Sequence, residues 1–72
     1  MADELIKTLT NEAGDERVLI VRRDNGVCTY RRQWKEGRGW GAPGPDAGLY
    51  ESVEAAENEA RARVSWLVPL FH

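Results

Sequence analysis

Two short runs rich in β-branched and aromatic residues, Arg17-Val-Leu-Ile-Val-Arg-Arg23 and Val27-Cys-Thr-Tyr-Arg-Arg-Gln-Trp34, flank the dipeptide Asn25-Gly26. Asn-Gly between such runs is the strongest short hairpin signal, because both central positions of a type I′ turn need positive φ. The pattern predicts strands over residues 17–23 and 27–34. With Asn25 and Gly26 as the loop, Val21 faces Tyr30, Leu19 faces Arg32 and Arg17 faces Trp34. That aromatic face, with Cys28, is the expected core face. Arg22, Thr29, Ile20, Arg31, Val18 and Gln33 then share the other. A three-residue loop with a bulge at Gly26 is the alternative, and it pairs Ile20 with Tyr30 instead.

The pattern elsewhere covers this ribbon. Leu5 and Leu9 alternate with Lys7 among threonines, and Asn11-Glu-Ala-Gly-Asp15 is turn chemistry, so an edge strand over residues 4–10 is expected; a short helix is the alternative. Residues 35–48 hold five of the seven glycines with Pro43 and Pro45, which predicts a long loop. Within it, Gly37 to Ala42 fits a dinucleotide-binding pattern formally, but prolines follow where that pattern needs a helix. Leu49 and Tyr50 suit a short strand over residues 48–51. Ser52 is a good N-cap, and Val53, Ala56, Ala60, Val64 and Leu67 recur at steps of three and four, predicting a helix over residues 53–67. Glu54 near its start and Arg61 and Arg63 near its end suit the helix dipole. Pro69 stops it, leaving an apolar tail over residues 68–72. The expected fold class is α+β: one domain, a three- to four-stranded antiparallel meander covered on one face by a C-terminal helix.

Composition narrows the chemistry. At 72 residues the core is small, and one cysteine and one histidine supply neither a disulfide nor the usual four zinc ligands. The net charge of −2 hides an asymmetry: residues 17–38 carry seven Lys and Arg against two acids. No apolar run approaches the roughly 18 residues of a membrane span, so the expected location is the cytoplasm, with no membrane partner.

The segments Asn11 to Val18, Arg22 to Gly26 and Glu51 to Val64 with Trp66-Leu67 resemble a group of small uncharacterised bacterial proteins. That resemblance implies three strands followed by a helix, and no assigned activity. Gly48-Leu-Tyr-Glu-Ser52 leading into the helix is also similar to the strand-to-helix junction of three-stranded DNA-binding domains, such as integrase arm-binding domains. This second likeness implies nucleic-acid contact through the sheet face away from the helix.

Catalysis is poorly supplied. Cys28 is expected as a small core residue, and Glu54, Glu57 and Glu59 as solvated surface charge. No cofactor or metal is expected. Trp34 and Trp66 are expected to close the core, and Trp40 to fold over its rim or to anchor a partner. The expected function is a small non-enzymatic interaction module, acting by protein binding or self-association through Arg38, Trp40, Leu70 and Phe71. The alternative is a nucleic-acid-binding domain using Arg22, Arg31, Lys35, Arg38 and Trp40, against which the acidic pI of about 5.3 weighs.

Overall fold

The structure, a computed structural model, describes residues 3–67. Four strands form one antiparallel meander, β1 (Glu4–Thr10), β2 (Glu16–Arg22), β3 (Cys28–Glu36) and β4 (Gly39–Trp40), followed by one helix, α1 (Val53–Arg63). This is the expected α+β class, with the sheet curved into a half-barrel. Residues 4–10 form a strand, not the alternative short helix. Their turn into β2 is tied by Asn11, whose Oδ1 accepts from the Asp15 and Glu16 amides at 3.0 and 3.2 Å. The tail over residues 68–72, with Leu70 and Phe71, lies outside the described residues.

The β2–β3 hairpin takes the second register. Ile20 pairs with Tyr30, Leu19 with Arg31, Val18 with Arg32 and Arg17 with Gln33. Only Gly26 in this turn has positive φ, at 87°, so Asn25 does not adopt the type I′ conformation. The Gly26 amide donates to the Arg23 carbonyl and the Arg23 amide to that of Val27, closing a three-residue loop with the glycine at the bulge. The correction exchanges the faces expected for β2. Val18 and Ile20 lie with Cys28 and Tyr30 on the helix side, while Leu19 and Val21 lie with Thr29 and Gln33 on the other.

The helix-side core joins Val18, Ile20, Cys28 and Tyr30 to Ala56, Ala60, Val64 and Leu67. The two alanines bring the α1 axis close to the sheet. Ser52 caps α1 by accepting from the Ala55 amide at 3.1 Å. The helix stops at Arg63, four residues short of expectation. Val64 turns extended, and a bond from the Leu67 amide to the Val64 carbonyl returns Leu67 to the core without another helical turn. Glu57, expected on the surface, is buried: it accepts from Lys7 Nζ and the Arg61 guanidinium, both at 2.8 Å. Trp34, expected to close the core, is 47% exposed near the end of β3, with Arg32 over its ring.

The predicted loop is the largest departure. β3 runs on through Glu36, turns at Gly37-Arg38 and returns as β4. Residues 41–50 then follow the free edge of β3 as an irregular strap. The amides of Gly41, Gly44, Ala47 and Tyr50 donate to the carbonyls of Trp34, Arg32, Tyr30 and Cys28 at 2.8–3.0 Å. Three strap residues thus advance for every two of β3. Pro43 and Pro45 fall where no donor is used. Gly44 comes close: a Cβ there would sit 3.3 Å from the Arg32 carbonyl oxygen. The short strand expected over residues 48–51 reduces to the Cys28–Tyr50 bridge that ends this strap. Among the described residues no helix is long and apolar enough to cross a membrane.

Candidate functional site at the β3–β4 hairpin

Opposite charges pair off over most of the molecule. Lys7 meets Glu57, Arg22 meets Glu4, Arg23 meets Asp46, Arg31 meets Asp3 and Asp46, Arg32 meets Glu16, Arg61 meets Glu57, and Arg63 meets Glu59. Among the described residues only Arg17, Lys35 and Arg38 meet no carboxylate. All three belong to one corner. Lys35 pairs with Trp40 across β3 and β4, Arg38 occupies the turn between those strands, and Arg17 pairs with Gln33 two residues before Lys35.

Local geometry fixes this corner. Gly37 has φ 61° and Arg38 a negative φ, the sign pattern of a two-residue type II′ hairpin with glycine first. Gln33 is buried and works in both directions: its Oε1 accepts from Arg17 Nε and its Nε2 donates to the Gly41 carbonyl, each at 2.6 Å. The Arg17 guanidinium is thereby laid over the Trp40 ring, 4.1 Å from its centroid. Glu36, the nearest acid in sequence, sits on the other face, where its carboxyl fills the space beside Gly41. The sheet face away from α1 therefore presents cations and a half-buried indole at this corner.

The five residues expected to contact nucleic acid do not form one surface. Lys35, Arg38 and Trp40 come together at the hairpin. Arg22 stands at the far end of β2 on the helix side, 3.4 Å from Glu4. Arg31 faces away from α1 but is neutralised, bonded to Asp46 at 2.5 Å and Asp3 at 2.8 Å. Asp46 first and then Asp3 hold its guanidinium above the ordinary value. The observed register causes this split, since it sets Arg22 and Arg31 on opposite faces. Of the residues expected to contact a protein partner, Arg38 and Trp40 share the corner.

Arg17 is the site residue that sequence reasoning missed. Its signal was weak: it heads a strand expected to place it opposite Trp34, not opposite the glutamine that orients it.

A second aromatic surface lies along the strap. Tyr30, Arg32, Trp34, Pro45 and Ala47 line an open, mostly apolar cleft of about 220 Å³. Arg32 lies 5.1 Å above the Trp34 ring and is held from below by Glu16. Burial pushes the Glu16 carboxyl up, but the neighbouring Trp66 indole, Arg32 and the Trp34 indole outweigh it and leave it below the ordinary value. Among the described residues the buried Trp66 N–H has no acceptor within hydrogen-bond distance. No protein family, curated protein or solved structure matches this chain.

Proposed function

We propose that this chain is a non-catalytic interaction module that docks an acidic segment of a partner protein, or of a second copy of itself, on the β3–β4 hairpin. One observation carries the reading: the cations left without carboxylates gather around one tryptophan. Charge complementarity steers association and sets register, while tryptophan and arginine supply much of the energy at binding hot spots. Pre-placement by Gln33 lowers the ordering cost for Arg17 on binding. In this reading the protein works in a reducing compartment such as the cytoplasm, where buried Cys28 remains a thiol.

A nucleic-acid strand is the second reading, favoured by the same cations beside an aromatic ring. It ranks lower because Arg17 occupies a face of Trp40 that a base would stack on, and because acids predominate outside this region. The test is a titration of labelled protein with a glutamate-rich peptide and, separately, a single-stranded oligonucleotide, each at low and high salt. Peptide shifts centred on Arg17, Lys35, Arg38 and Trp40, weakened at least tenfold in Lys35→Ala/Arg38→Ala, are expected. Oligonucleotide binding with a steep salt dependence, and none by the peptide, would install the second reading. No binding of either at low salt would sink both.

A further inference from the structure

The pairing between β3 and its strap is one-sided. The Lys35 amide donates to the Asp15 carbonyl ahead of β2, so the odd-numbered residues of β3 turn their backbone groups toward β2. Cys28, Tyr30, Arg32 and Trp34 turn theirs toward the strap. All four of these carbonyls are used, by Tyr50, Ala47, Gly44 and Gly41. The Cys28 amide also finds a partner, the Tyr50 carbonyl at 2.9 Å. Among the described residues no backbone carbonyl accepts from the amides of Tyr30 or Arg32. The cause is the three-for-two advance of the strap, which brings its donors into phase and leaves its acceptors out of phase.

Two further observations fall at this place. The apolar cleft opens where the ladder is half made, lined by Tyr30, Arg32 and Trp34 from β3 and by Pro45, Asp46 and Ala47 from the strap. The middle of the strap is latched by a single side chain, Asp46, to Arg31 at 2.5 Å and Arg23 at 3.5 Å.

We propose that the β3 edge is a strand-addition site for which the strap is a removable cover, and that its partner is an extended peptide carrying an acidic residue between apolar ones. A regular antiparallel strand advances residue for residue. It donates to the carbonyls the strap uses and also accepts from the Tyr30 and Arg32 amides. When the strap lifts, Asp46 leaves two arginines, so the incoming strand needs a carboxylate on the Arg31 face. Its alternate side chains then lie beside Tyr30 and Trp34, where apolar groups fit. A second copy of β3 fits less well, because the twofold pairing that sets Tyr30 against Arg32 also sets Arg31 against the same residue of the other copy. The site adjoins the β3–β4 hairpin at Gly41, whose carbonyl also receives Gln33, but uses none of its cations, and neither proposal rests on the other.

The experiment titrates the full chain with the capped peptide Val-Thr-Val-Asp-Val-Thr-Val, followed by amide NMR and hydrogen exchange. The control peptide carries lysine in place of aspartate. Binding is expected to slow exchange at the Tyr30 and Arg32 amides and to be at least tenfold weaker for the control. Asp46→Ala, which frees the strap, is expected to bind at least fivefold tighter. Arg31→Ala frees it too but removes the cation that the incoming aspartate meets, so it is expected to lose the preference for the aspartate peptide over the lysine control. Gly44→Ala crowds the Arg32 carbonyl and loosens the strap by another route, so it tightens binding even where Asp46→Ala does not fold. Lys35→Ala/Arg38→Ala leaves the affinity unchanged. Unaltered exchange at Tyr30 and Arg32, or unchanged affinity in both Asp46→Ala and Gly44→Ala, overturns the proposal.

Discussion

Lys7 is a charged residue on an edge strand whose side chain turns inward, toward the helix. Its partner Glu57 is buried in α1 and also receives Arg61. The Lys7 ammonium does most to hold the Glu57 carboxyl below its ordinary value of 4.5; burial opposes the shift, and Arg61 assists it. A carboxyl depressed on folding contributes stability that is complete above the unfolded value and is lost as pH falls through the folded one. Glu57→Gln should therefore cost about 1–2 kcal/mol near pH 7, less than a fully buried pair because Lys7 is half exposed. The gap between variant and wild type should close as pH drops below about 4.5, since protonated glutamate then resembles glutamine. Urea midpoints measured from pH 7 to pH 3 decide it: a gap that stays constant with pH would show that Glu57 acts by packing alone. Trp66→Phe keeps the apolar bulk and removes a buried donor that has no acceptor. It should leave the melting temperature nearly unchanged, because only an unpaired donor is lost; a fall of several degrees in thermal melts would show that the indole N–H is paired.

At the scale of elements, the β2–β3 turn decides which side chains reach which face. Gly26 alone carries the left-handed conformation, and Asn25 only accepts from the Val27 amide at 3.0 Å through its side chain. Gly26→Ala should accordingly cost about 1–2 kcal/mol and Asn25→Ala less than about 1. Equal losses in thermal melts would mean that both residues hold positive φ, as a type I′ turn requires. This turn also shows what the sequence could convey. Asn-Gly announces a hairpin, yet it serves both turn types, and a one-residue difference in register exchanges the faces of β2. The unbroken run Val18-Leu-Ile-Val21 was the better guide, since a strand buried on both faces loses its alternation. The capped helix start was legible at Ser52 because capping is local chemistry. The strap was not. Glycine and proline density reads as a loop, and nothing local reveals that every third amide meets a distant carbonyl. For the same reason Lys35, Arg38 and Trp40 could be picked out as chemistry while Arg17, joined to them only through Gln33, could not.

At the scale of the molecule, the two outer edges of the sheet are protected by different means. On the far side of β3 the strap occupies the edge with prolines and glycines that cannot template a regular strand. On the other side no described strand pairs with the outer edge of β1, which has an irregularity between Leu5 and Lys7 and leaves Leu5 58% exposed. An irregular edge strand with an inward-pointing charge resists pairing with another chain, because a regular partner must match the bulge and leave the lysine ammonium beside apolar surface. The Lys7–Glu57 pair is thus a guard on the edge as well as a tie to the helix. Lys7→Val removes the charge, extends the apolar pattern of β1 and strands Glu57 with Arg61 as its remaining cation. The expected outcome is a lower melting temperature together with concentration-dependent association in sedimentation velocity, with the β1 amides newly protected from exchange in the associated form. Lys7→Arg keeps a cation for Glu57 and should remain at the wild-type state of association. A Lys7→Val protein that loses stability yet sediments as the wild type does at every concentration would show that the irregular edge suffices alone, and would confine Lys7 to holding the helix.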